Sequence, residues 1–435
     1  MSDTVTSASI QRTYAADVAG LEADVPVLVA GWVHRVRELG QVSFVVLRDR
    51  SGFVQVVYDG PAPVHPESVV RIHGVTAANE KAPGGIEVKA QETTILGPAA
   101  QDAPISVAAD PDGIGIETLL DHRILSLRMP KVRAMFELQS EIVRLFAEYL
   151  RMNNFTEVKT SKLIGSGTEG GTGLFEVDYF GERVYLAQSP QFYKQAMVAS
   201  GLERVFEIGA AYRAEKHDTP RHLNEYVSLD VEMGFIDGID DLMDIELGIL
   251  GHIFAGVRDG AASGALEQYG ASVPDGEALS RTPRIDYEEA KRIASQRSGT
   301  RLFDLNPEAE RVLCDWAREE HGIEAVFVTG FPRKKRPFYT WPDGRQTASF
   351  DLLFRGLEIT TGGKRIHDYD MLVGELPKFG MKPEDLGDYL SIFRYGCPPH
   401  GGFAIGLERL TQKILGLDNI KAASLFPRDR KRVRP

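Results

Sequence analysis

The chain has 435 residues, 43% hydrophobic and 26% charged, which is ordinary for a soluble globular enzyme and long enough for two or three domains. Its formal net charge of −12 argues against a protein that coats nucleic acid non-specifically, although local basic patches could still bind a nucleic acid. Cys314 and Cys397 provide neither a disulfide framework nor a metal-binding spacing, which fits a reducing cytoplasm.

Targeting and membrane signals are not evident in the sequence. Residues 1–20 contain no basic stretch followed by an apolar one, so we expect no secretory signal. No apolar run approaches the roughly 20 residues of a membrane span. We therefore expect a cytoplasmic protein without membrane contact. Two basic runs, 333–336 and 428–434, are candidate nucleic-acid patches, but a solvated charge run is the favoured interpretation of the first.

Residues 25–96 consist of short β-type runs separated by Gly, Asp and Ser turns. Five strands in this range predict a small closed barrel, of which the oligonucleotide-binding (OB) barrel is the best-known version. A purely structural β-module is the alternative. A link rich in Pro, Ala and Asp, residues 97–113, separates this module from the rest of the chain.

Apolar residues at helical spacing predict an amphipathic helix over residues 131–153. Beyond it, strands and helices alternate without a βαβ rhythm, which favours a mostly antiparallel sheet and an α+β fold.

The segment 206–235 reads as two strands around a charged loop. Strict alternation sorts its apolar residues onto one face and its polar residues onto the other. If the apolar faces share one core, a single polar floor is lined by Arg213, Glu215, Tyr226 and Asp230. A guanidinium, an aromatic plate and a carboxylate suit a site for ATP and an amino acid, although an ordinary solvated sheet face shows the same pattern.

Two further segments can complete such a site. The glycine-dense loop 166–173 carries one acid, Glu169, and its glycines permit a backbone that closes over a ligand. A helix predicted to begin at Ser189-Pro190 places Gln191 and Lys194 on one face, where an amide and an ammonium could hold a carboxylate.

The segment 349–370 predicts a hairpin that turns at Arg355-Gly356. Leu353 then lies opposite Glu358, which brings Asp351 close to Glu358 on the same sheet face. Two such carboxylates could hold Mg²⁺, whose shell is completed by phosphate oxygens and water. Arg365, after the following Gly-Gly pair, is a second candidate for carboxylate recognition.

Near the C-terminus, a strand leads through Gly406 into a helix that opens on Leu407, Glu408 and Arg409. Gly406 permits close backbone approach, and Arg409 in the first helical turn could reach a polyphosphate. A surface role is the usual alternative for such an arginine.

Taken together, these segments resemble a class II (subclass IIb) aminoacyl-tRNA synthetase, specifically the aspartyl-tRNA synthetases of archaeal type. The likeness covers nearly the whole chain and is carried by these motifs: GWVHRVRELG, TEGGTGLFEVDYF, AQSPQFYKQ, FEIGAAYRAE, RHLNEY, LEITTGGKRIH and GLERL. It implies an OB anticodon-binding domain over 1–104, a hinge over 105–128 and a catalytic domain over 129–435. The catalytic domain is expected to contain a six-stranded antiparallel sheet flanked by helices and to form a homodimer.

The resemblance also implies roles for individual residues. Arg213, Lys194 and Arg409 would carry catalysis. Aspartate would be bound by Glu169, Ser189, Gln191, Lys194, Arg213, Asp230, Thr361 and Arg365. ATP would be bound by Arg213, Ala214, Glu215, Arg221, His222, Leu223, Tyr226, Glu358, Gly406, Leu407, Glu408 and Arg409. Mg²⁺ would be held by Asp351, Glu358 and Thr361.

Two departures from the family pattern stand out. Ser161 occupies a place where the dimer-forming motif usually has Pro, which leaves the local interface geometry open. Thr361 stands where archaeal members often have Ser, a change that keeps the hydroxyl.

The same resemblance bears on the choice of tRNA. Phe44 matches an aromatic that stacks on an anticodon base, and Gln55 matches a base-reading amide, although a core Phe is the alternative for Phe44. Members that accept tRNA-Asp alone carry Trp and Lys where this chain has His34 and Pro83. The loss of those contacts predicts a non-discriminating enzyme that also aspartylates tRNA-Asn, for later conversion by a separate amidotransferase.

Three alternatives remain at this point. One is a discriminating aspartyl enzyme. Another is an asparaginyl-tRNA synthetase, which the cationic pair Lys194 and Arg365 disfavours because that pair suits a carboxylate better than an amide. The last is an inactive relative acting as an RNA-binding module, which the intact Arg213, Glu358 and Arg409 disfavour.

Overall fold

The computed structural model describes residues 11–165, 167, 173–216 and 218–434, and the chain divides into two compact units, residues 1–129 and residues 130–435. In the described part of the chain, every helix is too short or too polar to cross a membrane. Each unit has a hydrophobic core of its own.

The first unit contains the predicted barrel. Five strands close in the order β1-β2-β3-β5-β4, and alternate residues of each strand point into the barrel. The strands are β1 (Pro26–Leu39), β2 (Val42–Arg48), β3 (Phe53–Asp59), β4 (Val69–Ala78) and β5 (Ile86–Gly97). Short helices α1 (Ala15–Val18), α2 (Ile116–Asp121) and α3 (Arg123–Ser126) complete this unit.

The second unit is built on an eight-stranded sheet with the order β12-β13-β16-β17-β18-β11-β10-β6. Its strands are β6 (Thr156–Glu157), β10 (Arg204–Tyr212), β11 (Glu225–Gly234), β12 (Arg284–Asp286), β13 (Ala325–Thr329), β16 (Ser349–Phe354), β17 (Leu357–Lys364) and β18 (His400–Gly406). Smaller sheets contain β7 (Leu163–Ile164), β8 (Glu176–Tyr179), β9 (Glu182–Leu186), β14 (Pro342–Asp343) and β15 (Gln346–Thr347).

The central strands of the large sheet, from β13 through β10, are antiparallel, as predicted. At each edge the sheet gains one short parallel strand that the sequence did not predict, β12 or β6. These edge strands are only two or three residues long, so they carry no alternation that could be recognised.

Helices cover much of the sheet and contribute to three separate hydrophobic clusters. They are α4 (Pro130–Met152), α5 (Gln191–Met197), α6 (Ile239–Asp259), α7 (Ser263–Tyr269), α8 (Gly276–Ser280), α9 (Tyr287–Ser298), α10 (Pro307–His321), α11 (Tyr369–Glu375), α12 (Gly387–Ser391) and α13 (Leu407–Leu415). Single helical turns span Pro83–Gly85, Pro111–Gly113, Val198–Leu202, Arg333–Lys335, Leu376–Phe379, Pro383–Leu386, Ile392–Tyr395 and Ile420–Ala423. The amphipathic α4 begins and ends within one residue of its predicted bounds, and its apolar stripe packs into the largest core cluster.

Strands β10 and β11 place their apolar residues in that same core, as the alternation predicted. Phe206, Leu229, Val231 and Met233 are buried there. The polar residues of β11 consequently face away from this core, on the side of the sheet that carries a large cavity.

Candidate active site

A cavity of about 820 Å³ opens on the polar face of the sheet. Most residues that the sequence assigned to a substrate site line it together: Ser189, Gln191, Lys194, Arg213, Glu215, Arg221, His222, Leu223, Tyr226, Asp230, Glu358, Thr361, Arg365, Gly406, Glu408 and Arg409. Residues from four separate segments of the chain therefore converge on one space, as the sequence hypothesis required.

Three assigned residues do not line this cavity. Ala214 follows Arg213 in the loop, and Leu407 is buried at the start of α13. Asp351 is buried beneath the cavity, with 6% of its surface exposed. Glu169 and most of its glycine loop lie outside the described residues.

Lys194 is a buried ammonium on α5 at the floor of the cavity. Its Nζ lies 3.1 Å from Asp230 Oδ1 and 3.2 Å from Glu232 Oε2, and it donates to the carbonyl oxygen of Val231 at 3.2 Å. Its side chain is only 3% exposed, so the charge depends on these partners rather than on water.

Arg365, at the end of β17, approaches Glu232 from the other side. Its Nε donates to Glu232 Oε1 at 3.0 Å, and its Nη2 donates to Gln191 Oε1 at 3.2 Å and to the carbonyl of Gly402 at 2.9 Å. Burial alone raises the pKa of Glu232, but Arg365 and Lys194 outweigh that effect and hold its pKa below the ordinary value. Glu232 is therefore an ionised carboxylate shared by two cations.

Gln191 leaves a hydrogen-bond donor unused. Its Nε2 is buried, and among the described residues it has no hydrogen-bond partner. Since its Oε1 is taken by Arg365, this amide presents its NH₂ group beside the two cations. The arrangement suits a ligand that brings an oxygen acceptor.

Gly402 on β18 makes the close packing around Glu232 possible. A Cβ at this position would lie 2.2 Å from Glu232 Oε2 and 2.1 Å from the carbonyl oxygen of Val231. Any other residue would displace the carboxylate that holds both cations.

Arg213 and Tyr226 meet at the other end of the floor. The guanidinium carbon of Arg213 lies 5.7 Å from the centre of the Tyr226 ring. The sequence interpretation extended the first strand through Glu215, which is wrong, because β10 ends at Tyr212. Arg213 instead begins the connecting loop, where its N–H donates to the carbonyl of Asn224 at 2.8 Å.

The loop that begins at Arg213 is tied to the C-terminal segment. Asp218 accepts from Lys421 at 2.8 Å and lies 3.1 Å from Lys431, while the N–H of Asn224 donates to the carbonyl of Arg428 at 2.8 Å. The basic run 428–434 is thus partly used in packing against this loop rather than being wholly solvated.

Arg221, from the same loop, pairs with Glu310 of α10. Burial raises the pKa of Glu310, and Arg221 opposes that rise. The N–H of Glu358 also donates to Glu310 Oε2, at 3.3 Å, so α10 contacts both an ATP-site arginine and the β16–β17 hairpin.

The β16–β17 hairpin turns at Arg355-Gly356 with φ angles of 48° and 75°, and it pairs Leu353 with Glu358, as predicted. A bulge lies next to this pair, so that Thr361 is opposite Asp351. Thr361 Oγ1 donates to Glu358 Oε1 at 3.0 Å. Burial and the negative charge of Glu358 together raise the pKa of Asp351 to about 7, although Arg336 opposes that rise.

This oxygen set fits a magnesium ion. The negative charge of Glu358 raises the pKa of Asp351, a repulsion that a shared cation would relieve, and carboxylate and hydroxyl oxygens are hard ligands. Within the described ranges, no group of three or more His, Cys, Asp or Glu side chains is placed to hold a metal alone. The ion would therefore take its remaining ligands from water and from the phosphates of a nucleotide.

Arg336 contacts Asp351 directly, which corrects one interpretation of the sequence. The run 333–336 was expected to be a solvated charge run, but the side chain of Arg336 is only 8% exposed and its Nη2 donates to Asp351 Oδ1 at 2.7 Å. In the same run, Arg333 pairs with Glu375 and Lys335 pairs with Asp304.

The first turn of α13 faces the hairpin. Arg409 Nη1 donates to the carbonyl of Glu358 at 2.9 Å and lies 3.5 Å from its Oε1. Glu408 accepts from the N–H of Val227, and burial raises the pKa of Glu408 to about 7. Gly406, Glu408 and Arg409 all reach the cavity.

The residues assigned to tRNA recognition lie in the barrel. Phe44 is half-buried and lies outside the barrel core, so a core role for it is excluded. Gln55 Nε2 donates to Glu87 Oε2 at 2.8 Å, and Nδ1 of His34 lies 2.9 Å from Arg48 Nη1. Pro83 opens an exposed turn between β4 and β5.

Ser161, at the departure from the dimer motif, is exposed, and its hydroxyl donates to the carbonyl of Leu163 at 2.9 Å.

Three residues of the site were missed by sequence reasoning: Glu232, Glu310 and Arg336. The alternation of β11 placed Glu232 on the polar face, which was the one usable signal. Glu310 and Arg336 pair with residues that are distant in the chain, so no local pattern pointed to them.

Two protein families match this chain, one in each of its two parts. The family described as tRNA synthetases class II (D, K and N) matches residues 115–430, and the OB-fold nucleic acid binding domain matches residues 27–96. An aspartate–tRNA(Asp/Asn) ligase of Thermus thermophilus is 49% identical, covering 93% of this chain and 96% of the relative. A relative of the same name from Methanopyrus kandleri is 42% identical, covering 98% of this chain and 100% of the relative.

Solved structures show the same architecture over the full length. Asparaginyl-tRNA synthetase from Pyrococcus horikoshii, complexed with asparaginyl-adenylate, superposes with a TM-score of 0.89 at 32% identity, covering 98% of this chain and 100% of that one. Aspartyl-tRNA synthetase from Entamoeba histolytica gives 0.86 at 28% identity, covering 99% and 94%. The converging cavity, the barrel and these matches together establish that the chain belongs to the class II tRNA synthetases of the D, K and N group.

Proposed function

We propose that this protein is an aspartate–tRNA ligase that activates L-aspartate with ATP and aspartylates both tRNA-Asp and tRNA-Asn. The observation that carries the proposal is the buried trio of Lys194, Arg365 and Glu232 at the floor of the cavity. The names of the relatives from Thermus thermophilus and Methanopyrus kandleri support the same reaction.

The charges of the trio favour aspartate over asparagine. Lys194 and Arg365 share the carboxylate of Glu232. Asp230, which also contacts Lys194, is assigned with Glu169 to the substrate ammonium, whose positive charge it balances. One positive charge then remains to be balanced, which a side-chain carboxylate does and a neutral amide does not. The unused NH₂ group of Gln191 adds a donor for the same carboxylate.

Activation needs positioning rather than a general base. The aspartate α-carboxylate attacks the α-phosphorus in line, and pyrophosphate leaves. Arg213 holds both the α-carboxylate and the α-phosphate, while Tyr226 stacks on the adenine. Arg221 and Arg409 neutralise the leaving phosphates, and Glu215, His222 and Glu408 complete the nucleotide site, with Ala214, Leu223, Gly406 and Leu407 contributing backbone.

Magnesium, held by Asp351, Glu358 and Thr361, would supply positive charge to the phosphate oxygens as the bond to pyrophosphate breaks. The hairpin residues contribute by keeping their oxygens on the cavity side of the sheet, where Thr361 contacts Glu358. The second step transfers the aspartyl group from the adenylate to the 3′-hydroxyl of the terminal adenosine of the tRNA.

Acceptance of both tRNAs rests on the barrel. His34 and Pro83 replace the Trp and Lys of members that accept tRNA-Asp alone, while Phe44 and Gln55 keep the general anticodon contacts. Aspartylation of purified tRNA-Asp and tRNA-Asn by the full chain tests the proposal. Comparable kcat/KM values support it, and a preference for tRNA-Asp beyond about a hundredfold would show a discriminating enzyme.

An asparaginyl-tRNA synthetase is the nearest alternative, because a solved structure of that name superposes over the full chain. Pyrophosphate exchange separates the two. Aspartate-dependent exchange supports our proposal, exchange driven by asparagine alone supports the alternative, and no exchange with either amino acid indicates an inactive relative.

A homodimer, a cytoplasmic location and handover of the aspartyl-tRNA-Asn to an amidotransferase complete the proposal and remain predictions. The domain boundaries at residues 104 and 128 also remain predictions.

A further inference from the structure

Arg336 covers a carboxylate that is assigned to the metal. Arg336 lines the cavity, whereas Asp351 does not, and the two are joined at 2.7 Å with side chains only 8% and 9% exposed. A ligand that enters from the cavity therefore meets the guanidinium before it meets this carboxylate.

Contacts with Ser349 and Phe331 fix the position of the Arg336 guanidinium. Its Nε donates to Ser349 Oγ at 3.0 Å, and its guanidinium carbon lies 3.8 Å from the centre of the buried Phe331 ring. Ser349 Oγ is in turn 2.8 Å from Thr347 Oγ1, which donates to the carbonyl of Phe331. A hydroxyl pair and a ring face thus hold the guanidinium over Asp351.

Three arginine–carboxylate pairs lie in or beside the β16–β17 hairpin. Arg336 pairs with Asp351, Arg409 pairs with Glu358, and Arg221 pairs with Glu310. All three arginines line the cavity assigned to ATP, so each can exchange a carboxylate for a phosphate oxygen. Of these three pairs, the Arg336 pair is the one in which the arginine shields an assigned metal ligand from the cavity.

We infer that Arg336 neutralises the carboxylate of Asp351 as long as no magnesium is bound. When magnesium binds together with the nucleotide, Arg336 releases Asp351 and binds the polyphosphate instead. This inference rests on the proposed function and assigns to Arg336 a phosphate-binding and metal-gating role. The guanidinium and the metal compete for one carboxylate, so free metal binds weakly. The metal–nucleotide complex binds well because its phosphates receive the displaced arginine.

If Arg336 and the metal compete for Asp351, replacing Arg336 should strengthen the binding of free metal and weaken the binding of MgATP. In Arg336→Met, the competitor for Asp351 is gone, so we expect free Mn²⁺, measured by electron paramagnetic resonance without nucleotide, to bind about tenfold tighter than in the wild type. A phosphate contact is lost as well, so MgATP, titrated by calorimetry without aspartate, should bind about tenfold more weakly.

Arg333→Met is the matched control. Arg333 lies three residues away in the same turn, pairs with Glu375 and does not line the cavity. We expect this variant to match the wild type in both titrations. Adding Asp351→Asn to Arg336→Met should abolish the gain in Mn²⁺ affinity.

Unchanged or weaker Mn²⁺ binding by folded Arg336→Met overturns the inference, as does an equal gain in Arg333→Met. If Arg336→Met does not fold, as judged by thermal unfolding, Arg336→Gln decides by the same criterion, since it also removes the charge. Failure of aspartate-dependent exchange in the wild type would refute the proposed function, whereas the Mn²⁺ titration reports on Arg336 independently of that reaction.

Discussion

The carboxylate of Glu232 lies 3.2 Å from the Nζ of Lys194, and both side chains are shut away from solvent. The same carboxylate binds Arg365, so a single anion fixes the positions of the two cations assigned to the substrate side chain. Because removing a buried partner leaves uncompensated charge, this trio should respond sharply to substitution.

Lys194→Met should lower kcat/KM for aspartate in pyrophosphate exchange by about a hundredfold or more, because a buried charged contact is lost. Lys291→Met is the control, since Lys291 pairs with Glu288 along α9 and does not line the cavity. Thermal unfolding of both variants checks that the loss is not a folding defect. A folded Lys194→Met with near wild-type kcat/KM would remove this residue from the aspartate site.

Two substitutions of Thr361, one that keeps the hydroxyl and one that removes it, test the role of this hydroxyl. Thr361→Ser keeps the hydroxyl that donates to Glu358, so we expect nearly unchanged magnesium dependence of exchange. Thr361→Ala removes both an assigned magnesium ligand and the hydrogen bond that orients Glu358, so it should raise the magnesium concentration at half-maximal rate by about tenfold. Equal behaviour of the two variants would exclude a role for the hydroxyl.

The barrel substitutions His34→Trp and Pro83→Lys should together narrow the choice of tRNA. We expect kcat/KM for tRNA-Asn to fall by about tenfold to a hundredfold relative to tRNA-Asp, because one base contact contributes about 1–3 kcal/mol of discrimination. His34→Trp also removes a hydrogen-bond partner of Arg48 and could disturb the barrel. The rate of amino-acid activation, which does not involve the barrel, serves as an internal control for damage to the whole protein. Parallel loss with both tRNAs would indicate damage to the barrel rather than altered selectivity.

Glu246 predicts a pH dependence of stability. It is completely buried on α6, and neither carboxylate oxygen makes a hydrogen bond of standard geometry with a described residue. Burial and the charge of Asp351 raise its pKa from 4.5 to about 8, although the nearby Thr360 hydroxyl opposes that rise. Between these pH values the unfolded chain has lost a proton that the folded chain keeps. The free energy of unfolding should therefore fall by about 1.4 kcal/mol per pH unit from this group as pH rises, and the penalty is absent below pH 4.5.

Glu246→Gln should remove that slope. Its melting temperature should exceed that of the wild type at pH 8 and approach it near pH 5, in scans at one heating rate. Glu137→Gln, at an exposed position of α4 that pairs only with Arg133 among the described ion pairs, is the control and should leave the difference between the two pH values unchanged. A wild-type profile parallel to that of Glu246→Gln would show that Glu246 does not bind the extra proton.

The features that the sequence predicted are those with local causes. The alternation of β1 to β5 and the positive φ angles at Arg355-Gly356 depend on neighbouring residues, so the barrel and the hairpin could be recognised. Local spacing indicates Lys194 and Arg365 as carboxylate-binding candidates, and the family resemblance assigns both to the side chain of aspartate.

The features that it did not predict depend on distant parts of the chain. β10 ends at Tyr212, before a loop in which the N–H of Asn224 donates to the carbonyl of Arg428, near the end of the chain. The bulge beside Leu353 belongs to the pairing of β16 with β17. The local sequence around Arg336 indicates a solvated charge run because its partner, Asp351, lies 15 residues further along the chain on β16. Contacts between residues that are far apart in the chain cannot be recognised from a short stretch of sequence.

Gly402 has a consequence for redesign of amino-acid preference. Because a methyl group there would collide with Glu232 and the Val231 carbonyl, a library that randomises the cavity walls must leave this codon fixed. Variation at Gln191, whose NH₂ group has no protein partner within the described ranges, disturbs the scaffold less and is the better starting point for a ligase that charges a non-natural acid.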